Sequence, residues 1–199
     1  MKMLAIGAFA LASLTATSAL AQTPAQNAPA NPGPVIPGVC IYNHQRLLAQ
    51  STAGQSLVSG MQRLQTEVQG ELAPYSQAIQ TEAQALEQGA ATIPADQRQQ
   101  RGQALQQRYQ EAQQLAQTRE NELRYTDMMQ RQSIAQQADP ILAAVYVERG
   151  CGLLLAREST VLFANPQMDI TDTVIQRVNT ALPSLSFNRM PVPVQQPAQ

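Results

Sequence analysis

The sequence predicts an α+β fold in which a long α-helical hairpin projects from a small β-sheet body. Two long stretches in the middle of the chain carry apolar residues at helical spacing, with one short break between them. Short apolar runs typical of strands lie only near the two ends of this region. Because a pair of helices encloses too little interior for its own globular core, we expect the two ends to form a base that holds an arm.

The N-terminus has the pattern of a secretory signal peptide. Lys2 precedes an apolar run over residues 3–14, and Ala19-Leu20-Ala21 is a small-x-small cleavage site. We predict a signal peptide over residues 1–21, cleavage after Ala21 and export to the periplasm. Residues 22–37 are rich in Pro, Ala and Asn, which predicts a disordered linker.

The composition excludes several classes of function. Lys and Arg number 13 against 14 Asp and Glu, so the chain lacks the basic face that nucleic acid binding requires. The only histidine, His44, and two cysteines are too few for a structural zinc site. No glycine-rich phosphate loop, nucleophile motif or paired carboxylate site can be argued, so we expect neither an enzyme nor a cofactor.

The two cysteines, Cys40 and Cys151, lie far apart in a chain predicted to reach an oxidising compartment. A disulfide between them is plausible there. Two buried free thiols are the alternative, and the sequence leaves both open.

The elements begin with a strand at Val39–Tyr42 and a short helix at His44–Gln50. Ser51 or Thr52 can cap the long helix that follows. Pro74 lies inside that helix and predicts a kink, although two separate helices are an alternative. The apolar stripe keeps its phase through this proline and consists of Leu57, Met61, Leu64, Val68, Leu72, Tyr75, Ile79 and Leu86.

A break at residues 89–94 predicts the tip of the hairpin. Gly89 is expected to end the first helix in a left-handed conformation, and Pro94 and Asp96 suit the first turn of the second. The second helix is predicted to run to about Ala138, after which Asp139-Pro140 starts a separate helical piece. Residues 54–138 thus form the predicted arm, each half spanning roughly 50–65 Å.

The predicted body comprises residues 38–53 and 139–182. Two apolar runs, at Leu153–Ala156 and residues 160–164, flank a polar turn and predict a β-hairpin. Asp169 or Thr171 then caps a last helix. Residues 183–199 contain repeated prolines, which predicts a disordered tail.

These features together resemble the OmpH/Skp family of periplasmic chaperones. The resemblance covers residues 38–180, and its most specific part is Met168-Asp169-Ile170-Thr171-Asp172 leading to Val174 and Asn179. It implies a homotrimer whose helical arms enclose a cavity. It also implies an ATP-independent holdase that keeps unfolded outer-membrane proteins from aggregating. The slightly acidic chain does not favour contact with lipopolysaccharide or an anionic membrane surface.

A holdase needs weak, adaptable apolar contacts, for which Tyr125, Met128 and Met129 are candidates. Met61 and Tyr109 lie on the periodic stripes and are expected to pack between the helices. Adjacent residues such as Met128 and Met129 cannot both face one partner helix. An alternative function is a periplasmic coiled-coil adaptor that docks on a fixed partner, but the tip sequence GAATIP offers such a partner no distinctive patch.

Overall fold

A computed structural model describes residues 33–193 of the chain. The predicted signal peptide lies outside the described residues, as does most of the predicted linker. The elements in chain order are β1 (Val39–Tyr42), α1 (His44–Gln50), α2 (Thr52–Gln88), α3 (Ala95–Glu148), β2 (Leu153–Ala156), the one-turn α4 (Arg157–Thr160), a 3-10 turn (Pro166–Met168) and α5 (Thr171–Ala181).

One strand precedes the helical hairpin in the sequence and the other follows it, and the two pair in parallel at its base. Val39 is the register partner of Leu153, and Tyr42 is the partner of Ala156. Parallel neighbours need a long crossover connection, and here the whole α2–α3 hairpin supplies it. The prediction that the two ends of the chain meet in one sheet is therefore confirmed.

The predicted β-hairpin after Gly152 is wrong. Residues 157–160 form the helical turn α4, and residues 160–164 form no strand. The carboxylate of Glu158 accepts a hydrogen bond from the Gln45 amide at 2.7 Å, which attaches this turn to the start of α1 instead of letting the chain reverse. The other edge of β1 forms a single bridge, between Ile41 and Asp169.

Both long helices run through their prolines. α2 contains Pro74 and α3 contains Pro140, so the predicted restart of the chain at Pro140 is wrong, as is the two-helix alternative at Pro74. Each proline removes a hydrogen bond from the carbonyl four residues earlier, on Gly70 and Gln136 respectively. Those residues are exposed, so water can hydrate the freed carbonyls. α3 therefore reaches 54 residues, roughly 80 Å.

The tip is a short turn that contains no residue with a positive φ. Gly89 has φ −83°, so the predicted left-handed ending is wrong. Ile93 lies directly over this glycine, where an added Cβ would come within 2.4 Å of its Cδ1 atom. Glycine at this position thus makes room for the Ile93 side chain, and its backbone conformation does not need glycine.

The Asp169–Thr171 part of the motif holds the start of α1. Asp169 Oδ1 accepts from the Thr171 amide at 2.9 Å and lies 3.3 Å from Arg46 Nη2. The Thr171 hydroxyl accepts from the Asn43 amide at 2.9 Å, and the Asn43 side chain caps α1 by accepting from the Arg46 amide at 2.6 Å. The motif needs particular residues because its side chains form hydrogen bonds and ion pairs with the segment that starts α1.

Two further contacts of the motif complete the base of the arm. The Ile170 amide donates to the Ile41 carbonyl at 2.9 Å. Asn179 Oδ1 accepts from the Thr52 amide at 2.8 Å, and Ser51 accepts from the Gly54 amide at 3.0 Å. The start of α2 is therefore capped from both sides, with Ser51 as one of the two predicted capping residues.

The core lies entirely at this base. Its buried apolar members include Leu47, Leu57, Ile134, Val145 and Val174. Cys40 and Cys151 are also buried here and are joined by a disulfide, with their Cα atoms 5.7 Å apart. The bond ties β1 to the segment that follows α3, across 111 residues of sequence.

Beyond α5, residues 182–190, which we call the C-terminal segment, pack on the base of the arm, so the predicted disordered tail is wrong for this part. Residues 194–199 of that tail lie outside the described residues. Leu182, Leu185 and Phe187 pack against the core at the base of the arm. The apolar side chains of this segment pack on that surface, whereas its proline content alone indicated disorder.

Candidate functional site: apolar clefts of the helical hairpin

The outer part of the arm has no buried core. Between residues 69 and 125 no side chain is fully buried, whereas α2 buries Leu64 and Val68 nearer the base. The apolar residues of α2 and α3 therefore face one another but remain partly exposed to solvent. They can contact the apolar side chains of another protein without any unfolding of the arm.

Two clefts, which we call the tyrosine clefts, lie midway along the arm on either side of Tyr75 and Ile79. The first has a volume of about 330 Å³ and is lined mainly by Leu72, Tyr75, Ile79, Tyr109, Ala112 and Ala116. The second, of about 290 Å³, is lined by Pro74, Tyr75, Ala78, Ile79, Arg108 and Glu111. Tyr75 is 43% exposed and Tyr109 is 54% exposed.

The first cleft exists because large residues of α2 face small residues of α3, whereas Arg108 and Glu111 form the α3 side of the second. Leu72, Tyr75 and Ile79 lie opposite Ala112 and Ala116, so the side chains leave space between the helices. The periodic spacing places Tyr75 on the apolar stripe of α2 but does not identify it as a site residue. The alanines at the facing positions were the signal that could have revealed the space.

Ion pairs between the helices lie on both sides of the clefts. Towards the tip, Arg101 Nε lies 2.7 Å from Glu82 Oε1. Towards the base, Arg119 Nε lies 2.7 Å from Glu71 Oε2. The hydrogen bond from Arg101 lowers the pKa of Glu82, so this carboxylate stays charged at neutral pH. These ion pairs hold the two helices in register, and their charged side chains lie on either side of the apolar residues that line the clefts.

The residues predicted to contact clients lie nearer the base than the tyrosine clefts. Tyr125 lies 16 residues beyond Tyr109, roughly 24 Å along α3. Met128 is 54% exposed, whereas Met129 is half-buried and lines a cleft beside the C-terminal segment, so the two face different surroundings. Met61 packs against the core as expected, but the expectation that Tyr109 packs between the helices is wrong.

Among residues 33–193, no group of three or more His, Cys, Asp or Glu residues is placed to hold a metal ion. No helix in this part of the chain is long and apolar enough to cross a membrane. The arm presents aromatic and aliphatic side chains that are exposed to solvent and flanked by charged residues. These side chains can bind other apolar groups by direct contact.

Comparisons with known proteins agree with this architecture. The model of the family described as outer membrane protein (OmpH-like) matches residues 38–178. No match was found among curated proteins. The crystal structure of an OmpH-like protein from Caulobacter crescentus CB15, proposed to be an outer membrane chaperone, is similar with a TM-score of 0.74 and 32% sequence identity. The match covers 82% of this chain and 96% of that one. On its fold and its sequence, the chain belongs to the OmpH-like family.

Proposed function

We propose that this protein is an ATP-independent periplasmic holdase that binds unfolded outer-membrane proteins and prevents their aggregation in transit. The observation that carries the proposal is the pair of tyrosine clefts on a two-helix arm with no buried core around them. Contacts of this kind are weak individually and adapt to many side chains. A client chain held at several such sites is retained by their combined effect.

A homotrimer would multiply these contacts. Leu153, Leu162 and Phe163 of the body are 51%, 87% and 68% exposed, an apolar surface that another copy could cover. A two-stranded sheet is marginally stable alone, and within the described chain β2 pairs only with β1. Its open edge could pair with a second copy, and three bodies would bring three arms around one client.

The tip of the arm does not support the adaptor alternative. Between Tyr75 and Tyr109, no large hydrophobic residue of the described chain is exposed. Ile93 folds back on Gly89, and Arg98 Nη1 donates to the Ala90 carbonyl at 2.7 Å. A docking adaptor would need a distinctive patch here, whereas the polar groups of this tip bond to one another.

The test is light scattering when urea-unfolded porin is diluted into buffer. Wild-type protein in molar excess should suppress the aggregation of porin. Replacing Tyr75 and Tyr109 together by serine should remove most of that suppression. Val58→Ser, at a residue that is 56% exposed but outside the clefts, is the matched control. Undiminished aggregation in the presence of the wild-type protein would contradict the holdase, and a monomeric native mass would contradict the trimer.

A further inference from the structure

We propose that the groove between α2 and α3 at the base of the arm is a binding site for extended polypeptide, and that the C-terminal segment, residues 182–190, occupies it as an internal ligand that an unfolded client displaces. This inference rests on the proposed holdase function. The C-terminal segment lies beyond the residues matched by the family model, which end at residue 178.

The groove recognises main-chain groups. Thr126 and Gln130 are 0% and 5% exposed, yet each directs a polar group to the backbone of the segment. Hydrogen bonds that read only the backbone do not depend on the sequence of the chain that they hold. Five such bonds are present: Thr52 Oγ1 to the Leu182 carbonyl at 3.4 Å, Leu185 N to Ser56 Oγ at 3.2 Å, Gln130 Nε2 to the Ser186 carbonyl at 2.9 Å, Arg63 Nη2 to the Phe187 carbonyl at 2.7 Å, and Met190 N to Thr126 Oγ1 at 2.9 Å.

A glycine makes room for an aromatic side chain in the groove. The ring of Phe187 lies on Gly60, where an added Cβ would be 2.4 Å from the ring. Leu185 and Phe187 point towards the hairpin, while Ser186 and Asn188 are exposed. Over these four residues apolar and polar side chains alternate, as they do along the strands of membrane β-barrels, the class of client proposed above.

The segment leaves part of the groove empty. A cleft of about 380 Å³ lies on its α3 side, bordered by Met129 and Ser133. A second cleft, of about 340 Å³, lies on the α2 side beside Ser59 and Arg63. Side chains bulkier than those of the segment therefore fit the groove, and the flexible Met129 can adapt to them.

The segment is held by contacts that can be released. Arg189 forms its ion pairs with Glu71 and Glu122 at 2.8 and 3.0 Å, all three side chains being partly exposed. Partly exposed pairs contribute little stability individually. The covalent link to α5 keeps the segment nearby at high effective concentration, so it excludes weak ligands and yields to a client that binds several sites at once.

The test compares full-length variants. Replacing Leu185 and Phe187 together by asparagine should release the segment and leave the groove open. Gly60→Leu should also displace the segment but fill the groove, and Gly70→Leu, where a Cβ meets nothing within 4 Å, is the control for a leucine on α2. Tryptic cleavage after Arg189 reports release, and circular dichroism checks that each variant keeps its helices.

The first probe is a fluorescent peptide with the sequence of residues 182–193. We expect it to bind the open-groove variant at least about tenfold more tightly than the wild type or Gly60→Leu, because only that variant offers a vacant site. Equal binding by the open-groove variant and Gly60→Leu would overturn the proposal. So would failure of the peptide to bind an open-groove variant whose segment trypsin cleaves.

The second probe is urea-unfolded porin. The open-groove variant should suppress porin aggregation at lower concentration than the wild type, and Gly60→Leu should not. Equal suppression by all three proteins would contradict displacement by clients and leave the holdase function intact. Absence of suppression in all three would contradict both.

Discussion

Arg189 Nη2 lies 2.8 Å from Glu71 Oε1, so the C-terminal segment is bonded directly to the first helix of the arm. Its Nε atom lies 3.0 Å from Glu122 on the second helix. Arg119 contacts the same two carboxylates at 2.7 and 2.9 Å. The resulting group of four charges connects α2, α3 and the C-terminal segment at the point where the buried core ends and the open arm begins.

Replacing Glu71 by glutamine should lower the unfolding temperature by a few degrees at pH 7, since two arginines lose a charged partner. The hydrogen bond from Arg189 lowers the pKa of Glu71 below its usual value of 4.5. A depressed folded-state pKa stabilises the fold above about pH 4.5, and this contribution is lost as the pH falls through the folded value.

The difference between Glu71→Gln and the wild type should therefore shrink as the pH falls below about 4.5 and the wild-type carboxyl takes up a proton. Thermal melts followed by circular dichroism between pH 7 and pH 3 test this. Glu87→Gln, on an exposed glutamate near the tip, is the control. A difference of the same size at pH 7 and pH 3 would mean that the charge of Glu71 is not what stabilises the network.

Gly54→Ala should destabilise the protein by about 2 kcal/mol or more, although alanine normally stabilises a helix. A Cβ at this position would lie 1.8 Å from the Leu48 carbonyl oxygen, so the junction of α1 and α2 would have to move. Gly70→Ala, on the same helix in open space, should instead stabilise by up to about 1 kcal/mol. Urea titrations measure both, and the same sign for the two substitutions would refute the close approach at Gly54.

Thr171→Val should cost about 1–3 kcal/mol, because the isosteric valine leaves the partly buried Asn43 amide without its acceptor, while Thr171 itself is fully buried. Thr180→Val on the same helix removes only a bond to the Gln176 carbonyl at an exposed position and should cost much less. Urea unfolding compares the two. Equal losses would show that the hydroxyl of Thr171 does not carry the contact between the motif and α1.

Replacing Cys40 and Cys151 by serine should lower the free energy of unfolding by about 2–4 kcal/mol, since the bond closes a loop of 111 residues in the unfolded chain. Adding a reductant to the wild type should produce a similar loss, and adding it to the double variant should change nothing. If the wild type is equally stable with and without reductant, the two thiols are not bonded in the purified protein.

The helices and their pairing were predictable because local patterns specify them. The apolar stripe that includes Leu57, Leu64 and Leu72 predicted α2, and the short runs at Val39 and Leu153 predicted a sheet built from distant ends. The resemblance to the family added the motif at Asp169–Thr171. The sequence did not predict which groups those side chains bind, such as the Asn43 amide, and only the structure identifies them.

The errors share a physical cause: the three-dimensional surroundings outweighed the local signal. Pro140 does not end α3, because the carbonyl that it leaves free is exposed to water. Residues 160–164 resemble a strand, but no neighbouring strand is placed to pair with them. The proline-containing C-terminal segment is ordered by side chains of two other helices. The tyrosine clefts depend on which residues of α3 face Tyr75, which periodicity alone does not specify.

Photo-crosslinking to unfolded porin would show whether unfolded outer-membrane proteins lie in the tyrosine clefts, as the proposed holdase function requires. Benzoylphenylalanine is placed at Tyr75, at Tyr109 and, for comparison, at Val58, and each variant is irradiated with urea-diluted or folded porin. We expect strong crosslinks from positions 75 and 109 to unfolded porin only, and weak ones from position 58. Absence of crosslinks at 75 and 109, or equal yields at all three positions, would mean that the tyrosine clefts do not hold the client.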